Sequence, residues 1–436
     1  MSIHVILLSG GSGKRLWPLS NEIRSKQFLS LLPDGQGGRE SMLQRTLRLL
    51  SAEFPGCRPV IATGESQYEQ VRSQAGPSVR IVSEPARRDT FGAIALASLF
   101  LRDQCQAADD DVVAVLPIDA YAEQHYYAAV RRMCDAVGTG AAELLLMGIV
   151  PSHPSPRFGY MMLGKPLEGC TEVTGFVEKP SVERARQLID EGASWNGGVF
   201  AFRLGHILQT VCNVIGKYDH AGLLQAYHAL ERISFDYAVV EKASSVAMVP
   251  YEGTWKDLGT WDALVPLLEQ GGVGERYLVD SSDTVVVNEL PIPVVALGTR
   301  DLIVAASADG ILVTTAEAST ALKAVADKLT DLPRSEQFHW GGRVVLDRTF
   351  CGSSVIQQTS RLDVGSDSQL TLSYRNSCTV KLICITGSGD LGIDGTTRQF
   401  NRGEHVSVEG RKLVTIRSRQ GMQLMETVIE TTNIFP

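Results

Sequence analysis

The sequence predicts an α/β protein whose mostly parallel sheet is covered on both faces and is followed by two β-rich modules. Three observations carry this expectation. Up to about residue 268, apolar runs of strand length alternate with stretches whose apolar residues recur at helical spacing. The glycine-rich link Gly271-Gly272-Val273-Gly274 then ends that alternation. Beyond it the chain breaks into short β pieces, and from about residue 336 it is almost wholly β-patterned.

In chain order, strands are expected at Ile3–Leu8, Arg58–Ile61, Val79–Val82, Val112–Leu116 and Leu144–Ile149. Helices are expected over Ser41–Ala52, Thr90–Leu101 and Glu123–Val137. In such α/β architectures, ligands collect at the carboxyl ends of the strands. Short strands follow at Tyr277–Val279, Thr284–Val287, Val294–Leu297, Leu302–Ala305 and Ile311–Val313, then a helix over Ala316–Leu329 and a second link at 331–335. Leu370–Leu372, Val380–Ile385 and Leu424–Ile429 are strands of the last module. The expected domains are 1–270, 275–330 and 336–436.

Composition narrows the function. The 436 residues are 44% hydrophobic and 21% charged with a net charge of −8, which supports sizeable cores and argues against general nucleic-acid or anionic-membrane binding. The eight cysteines are scattered without a Cys-x-x-Cys pair, so reduced structural thiols are expected. The apolar run before Gly10 has no basic region ahead of it, and no stretch approaches the roughly 20 apolar residues that span a bilayer. A soluble, cytoplasmic protein is expected.

Directly after the first strand comes Gly10-Gly11-Ser12-Gly13-Lys14-Arg15-Leu16-Trp17-Pro18, followed by Lys26-Gln27-Phe28. Glycines leaving a strand let backbone N–H groups approach a phosphate closely. The loop is not a Walker A motif, because Leu8 stands at the first glycine position and Arg15 where the hydroxyl belongs. It is not a dinucleotide fingerprint either, since Pro18 interrupts the helix that should begin there. What remains are two cations, Arg15 and Lys26, able to neutralise charge on a pyrophosphate leaving group. Asp119 follows a strand and should lie at the sheet's carboxyl edge, where a loop-capping role is the alternative. Asp257 reads as part of a loop preceding a helix, where N-terminal capping is the alternative.

The glycine loop and Lys26-Gln27-Phe28 resemble the signature of bacterial mannose-1-phosphate guanylyltransferases, and further blocks recur in that family's order. They are Glu84-Pro-Ala-Arg-Arg88-Asp-Thr90, Leu116-Pro-Ile-Asp119, Phe158-Gly159-Tyr160, Phe176-Val-Glu178-Lys179-Pro180, Trp195-Asn196, Ser234-Phe-Asp236-Tyr237 and Trp255-Lys-Asp257-Leu-Gly259. The resemblance spans roughly residues 3–330. It implies a Rossmann-like nucleotidyltransferase domain, a short left-handed β-helix and a cupin-like β-barrel. It also implies Mg²⁺ held by Asp119 and Asp257, with Arg15 and Lys26 as the other catalytic groups. Gly10, Gly11, Gly13, Glu84, Arg88 and Thr90 would serve the nucleotide, and Gly159, Glu178, Lys179 and Asn196 the sugar phosphate. The implied substrates are GTP and mannose-1-phosphate, giving GDP-mannose, in a homo-oligomer expected to be a dimer.

The sequence departs from the family pattern at Ile118 and Ala120, where the family has Ser and His around the aspartate, and at Ser25, where it has Pro. Two alternatives therefore stand beside the main reading: the same chemistry on another base or sugar, such as glucose or heptose, and a catalytically silent regulatory homologue. In the last module, Leu370–Cys378 resembles the metal-binding strand of a phosphomannose-isomerase cupin, but it offers Ser373, Arg375, Ser377 and Val380 where imidazoles are needed. His339 and His405 match no ligand position, so a barrel without metal and without isomerase activity is expected.

Overall fold

The computed structural model describes residues 1–431 apart from 12, 22, 78, 330–332 and 352–354. The chain forms two compact units, one of residues 1–11, 27–71 and 75–259, the other of 12–26, 72–74 and 260 onward.

The first unit is built in chain order from β1 (Ile3–Ser9), β2 (Val60–Gly64), β3 (Arg80–Glu84), β4 (Val112–Pro117), β5 (Ala120–Ala122), β6 (Leu144–Ile149), β7 (Tyr160–Leu167), β8 (Cys170–Val177), β9 (Ser194–Arg203), β10 (Val246–Tyr251) and β11 (Trp255–Asp257). Nine of these form one sheet in the order β3-β2-β1-β4-β9-β6-β10-β8-β7, while β5 and β11 pair only with each other. The pairs β3–β2, β2–β1, β1–β4 and β6–β10 are parallel, and β9 runs antiparallel between β4 and β6. The expected strand at Arg58–Ile61 begins at Val60 and runs on to Gly64, since Pro59 has no N–H to give a ladder.

Alternation along the strands divides the core. Val5, Leu7, Ala114 and Leu116 point to one face, beneath α1 (Met42–Glu53) and α3 (Gln124–Thr139). Ile6, Val113 and Val115 point to the other, beneath α2 (Asp89–Cys105). Because both faces are covered, β4 reads as an unbroken apolar run with every residue from Val112 to Leu116 fully buried. A capping box fixes the start of α1: the Ser41 hydroxyl accepts from the Gln44 N–H at 3.2 Å, and the Gln44 side chain accepts from the Ser41 N–H at 3.0 Å.

In the second unit, the short strands β12 (Gly272–Val273), β13 (Arg276–Val279), β14 (Val285–Asn288), β15 (Val294–Leu297), β16 (Ile303–Ser307) and β17 (Gly310–Thr314) stack as a coil. β12, β14 and β16 stack in parallel on one face and β13 on β15 on another, with an isolated parallel bridge between Ser282 and Arg300. β17 closes the first stack antiparallel to β16. Gly272 and Gly274 are required here: both have positive φ, and a Cβ would collide with the carbonyl oxygens of Val286 and Asn288 on the next rung.

The expected helix over Ala316–Leu329 is much shorter, a 3₁₀ turn at Ala318–Ala321 followed by Leu322–Ala326. Thr315, Ser319 and Thr320 bond nearby backbone groups instead of extending the helix. The expected link at 331–335 lies partly outside the described residues. Eight antiparallel strands between Ser335 and Thr431 then surround a core that includes Leu362, Val380, Leu382, Phe400, Ile416 and Leu424. The long strand Leu413–Thr431 pairs with three others and organises the module. All seven described cysteine side chains are free thiols.

Candidate active site

At the end of β1, two buried glutamines pin the turn into the glycine loop. Gln67 donates to the Gly11 carbonyl at 2.9 Å, and Gln27 lies 3.4 Å from the Ser9 hydroxyl and 3.4 Å from the Gln67 side-chain oxygen. Gly11 has φ +108, which only glycine holds easily. The loop itself, with Gly13, Arg15 and Lys26, belongs to the second unit. There Gly13 sits so close to Ser25 that a Cβ would come within 2.8 Å of its Cα. Arg15 is exposed, and Lys26 opens a 3₁₀ turn.

Asp119 emerges two residues beyond β4, at the sheet's carboxyl edge as its sequence context implies. Asp257 corrects the sequence expectation, because it is the last residue of strand β11 and not part of a loop. β11 pairs antiparallel with β5 so that Trp255 faces Ala122, Lys256 faces Tyr121 and Asp257 faces Ala120, the neighbour of Asp119. Arg45 braces β5 by donating to the Ala122 carbonyl at 3.3 Å and lying over the Tyr121 ring at 4.7 Å. Asp257 is thus registered against the residue that follows Asp119. Among the described residues, no three His, Cys, Asp or Glu side chains gather as a closed cage would require. Two carboxylates are nevertheless the donor set Mg²⁺ ordinarily takes when phosphate oxygens and water complete its shell.

A second cluster gathers Gly159, Glu178, Lys179 and Asn196. The Asn196 N–H donates to the Gly159 carbonyl at 2.8 Å, its side-chain amide donates to Asp236 at 2.7 Å, and its side-chain oxygen accepts from the Gly198 N–H at 3.0 Å. A Cβ on Gly159 would lie 2.5 Å from the Glu178 carboxylate, so the glycine keeps this wall thin. Lys179, at φ +47, pairs with Glu178 at 2.7 Å while its side chain stays 55% exposed. Burial alone would lower the Lys179 pKa, but the bond to Glu178 and its charge raise it. Phe158 lies against Trp195 at 4.8 Å and Trp255 at 5.3 Å between ring centroids, which joins this cluster to the strand that carries Asp257.

Asp236 is a residue of this cluster to which sequence reasoning assigned no role, although it stands in one of the quoted blocks. Burial and the Glu178 charge push its pKa up to about 6. Gln67 was missed outright, since a single buried glutamine in a turn carries no periodic or motif signal.

On the third side, Glu84 ends β3 and accepts from the Tyr227 hydroxyl at 2.6 Å, while burial raises its pKa. Arg88 donates to the Tyr227 and His228 carbonyls, and the Thr90 hydroxyl accepts from the Phe235 N–H at 2.8 Å. Gly92 leaves room for the Tyr227 hydroxyl, which a Cβ would meet at 2.7 Å. The structure therefore gives Arg88 and Thr90 local partners on the segment 227–235.

A short ladder that registers Asp257 beside Asp119 at the carboxyl edge of a mostly parallel sheet, with a Lys–Glu–Asn cluster linked to it by aromatic rings in contact, is the arrangement of an enzyme of the nucleotidyltransferase class. The chain belongs to the nucleotidyl transferase family, whose model matches residues 4–270. A mannose-1-phosphate guanylyltransferase of Klebsiella pneumoniae is 30% identical over 91% of this chain and 88% of its own length. The xanthan biosynthesis protein XanB of Xanthomonas campestris pv. campestris (strain B100) is 32% identical over 76% of this chain and 74% of its own. Among solved structures, one described as a mannose-1-phosphate geranyltransferase from Thermus thermophilus matches with a TM-score of 0.64 and 30% identity, covering 76% of this chain and all of that one.

The raised pKa of Asp236 has a consequence for stability. The folded protein keeps a proton that the unfolded chain releases, so this stabilisation is complete below pH about 3.8 and is lost as pH rises through about 6. Asp236→Asn should remove that slope. Urea midpoints measured across this window should fall for the wild type relative to the variant, and parallel curves would show that Asp236 does not hold the proton.

Proposed function

We propose that the chain transfers a guanylyl group from GTP to mannose-1-phosphate. A phosphate oxygen of the sugar phosphate attacks the α-phosphorus, the bond to the bridging oxygen of pyrophosphate breaks, and GDP-mannose and pyrophosphate leave. The observation that carries this reading is the β5–β11 register, which puts Asp257 opposite Ala120 and so beside Asp119. The donor set fits Mg²⁺, with Asp119 and Asp257 as its protein ligands. When bound, the ion neutralises phosphate charge and aligns the reacting groups.

The chain's own residues do the rest. Gly10, Gly11 and Gly13 let the backbone approach the triphosphate, and Arg15 and Lys26 take up charge as pyrophosphate departs. Glu84, with Arg88 and Thr90 fixing the wall behind it, lines the nucleotide side. Glu178 and Asn196 bond sugar hydroxyls, Lys179 meets the sugar's phosphate, and Gly159 admits the ring close to the backbone. The attacking phosphate is already ionised near neutral pH, so no general base is required.

Assayed across GTP, ATP, UTP and CTP with mannose-1-phosphate, the full chain should show its highest kcat/KM with GTP. Asp119→Asn and Asp257→Asn should each lower kcat on the order of 10²-fold or more while leaving the protein folded. A preference for another nucleotide would move the protein to the same chemistry on a different base. Near-native activity in either variant at saturating Mg²⁺ would remove that residue from the metal site.

The finer architecture belongs to the same reading. The stacked coil is proposed to be a left-handed β-helix that pairs with a second copy of the chain in the cytoplasm; no described helix is long and apolar enough to cross a membrane. The coil leaves Tyr277, Val279, Val295 (64%) and Leu297 (68%) exposed on one face, an apolar surface suited to a partner copy. Light scattering should give a dimer mass, and Leu297→Asp should reduce it to a monomer; a monomeric wild type would contradict the pairing.

The C-terminal module is proposed to be a cupin-like barrel without metal or isomerase activity. Its cavity, about 470 Å³, is lined by Arg343, Tyr374 and Glu426, among others. There the buried Glu426 accepts from Arg343 at 3.1 Å and from Tyr374 at 2.8 Å. Stoichiometric zinc in the purified chain, or measurable interconversion of mannose-6-phosphate and fructose-6-phosphate, would overturn this; neither is expected.

A further inference from the structure

We infer that Glu289 and Asp309 on the stacked coil are positioning residues for the glycine loop, and that through the loop they set the binding of the nucleoside triphosphate. The inference rests on the function proposed above. Its basis is that the segment 12–26, which carries Arg15 and Lys26, groups with the unit containing the coil and not with the sheet that it leaves and rejoins.

The attachment is specific at several of the segment's described residues. Arg24 makes a bidentate pair with Glu289 at 2.7 and 2.8 Å, with the two side chains 14% and 26% exposed. Asn21 donates to Asp309 at 2.8 Å, and its side-chain oxygen accepts from the N–H groups of Ile23 and Arg24 at 2.9 and 2.7 Å. One side chain therefore ties the loop both to itself and to the coil. The other oxygen of Asp309 accepts from the Arg334 N–H at 2.6 Å, so this carboxylate also anchors the entry to the C-terminal module.

Four further contacts fix the loop's first half. Ser307 donates to the Pro18 carbonyl at 2.6 Å, and the Trp261 indole donates to the Trp17 carbonyl at 3.3 Å. Gly310 seats the Trp17 ring, since a Cβ there would lie 2.6 Å from it. Lys14 pairs with Asp327 at 3.3 Å at the end of helix Leu322–Ala326.

The physical consequence follows from ordering. A surface loop bearing two cations would lose conformational freedom each time it closed on a triphosphate, and that loss would weaken binding. Glu289 and Asp309 order the loop beforehand. Neither is placed in the reaction, and each acts through the backbone that carries Arg15 and Lys26.

The test uses the full-length chain with Glu289→Gln, Asp309→Asn, Arg24→Glu and the double exchange Arg24→Glu/Glu289→Arg. The single variants should raise KM for GTP by about tenfold, leave KM for mannose-1-phosphate within about twofold of wild type, and keep the sheet's amide protection. The double exchange should recover most of the loss, as a direct pair requires. Unchanged KM for GTP, an equal rise in both KM values, or no recovery in the exchange would overturn the inference, the second because it would indicate general destabilisation. If the wild type turns over none of the nucleotides, the proposed function fails, and hydrogen exchange then judges the positioning claim alone. Amides of residues 13–26 should exchange faster in Glu289→Gln and Asp309→Asn than in the wild type, and equal rates would sink it.

Discussion

The short ladder between β5 and β11 is the interaction on which the proposed site depends. Asp119 and Asp257 are distant in the chain, and backbone pairing is what registers them at neighbouring positions. Three residue pairs do this, with Asp257 registered against Ala120. The ladder inherits its position from β4, whose apolar run is fully buried between two helical layers, and Asp119 follows that strand after only Ile118. A slip of one residue in the pairing would turn Asp257 to the opposite face, because side chains alternate along a strand. The Arg45 contacts with Ala122 and Tyr121 oppose such a slip.

The Glu178 cluster uses a different balance of charge. Glu178 and Asp236 are shielded from water, and Lys179 pairs directly with Glu178 while its charge acts on Asp236 from farther away. Burial and the Glu178 charge raise the Asp236 pKa to about 6, so a proton on Asp236 at mildly acidic pH relieves the repulsion. Asn196 is held by three bonds that do not need the ligand, so its remaining hydrogen-bonding capacity is already oriented. Under the proposed function, such preorganisation would favour a sugar of one hydroxyl pattern over another, because a mismatched group would leave a buried partner unpaired.

Much of this was legible in the sequence, and the exceptions have physical reasons. The strand β1, the glycine loop, Asp119 and the start of α1 at Ser41 follow from local patterns that tertiary structure does not override. The strand β11 was hidden because three residues, Trp-Lys-Asp, are too few to display alternation. The helix over Ala316–Leu329 was overestimated because its hydroxyl side chains compete for backbone groups. Gln67, Tyr227 and Glu289 act through contacts far away in the chain, and nothing in their own neighbourhoods marks them. The positions at the ends of strands were legible, whereas the contacts that hold them in place were not.

The central claim is that Asp119 and Asp257 form one divalent-metal site in the presence of nucleotide. Binding of Mn²⁺ to the full chain, followed by electron paramagnetic resonance with GTP present, tests it most directly. The account predicts one tight ion per chain in the wild type and a similar loss of affinity in Asp119→Asn, Asp257→Asn and the double variant, because removing either ligand already opens the site. Tight binding that survives in a single variant, or losses that add in the double variant, would contradict it.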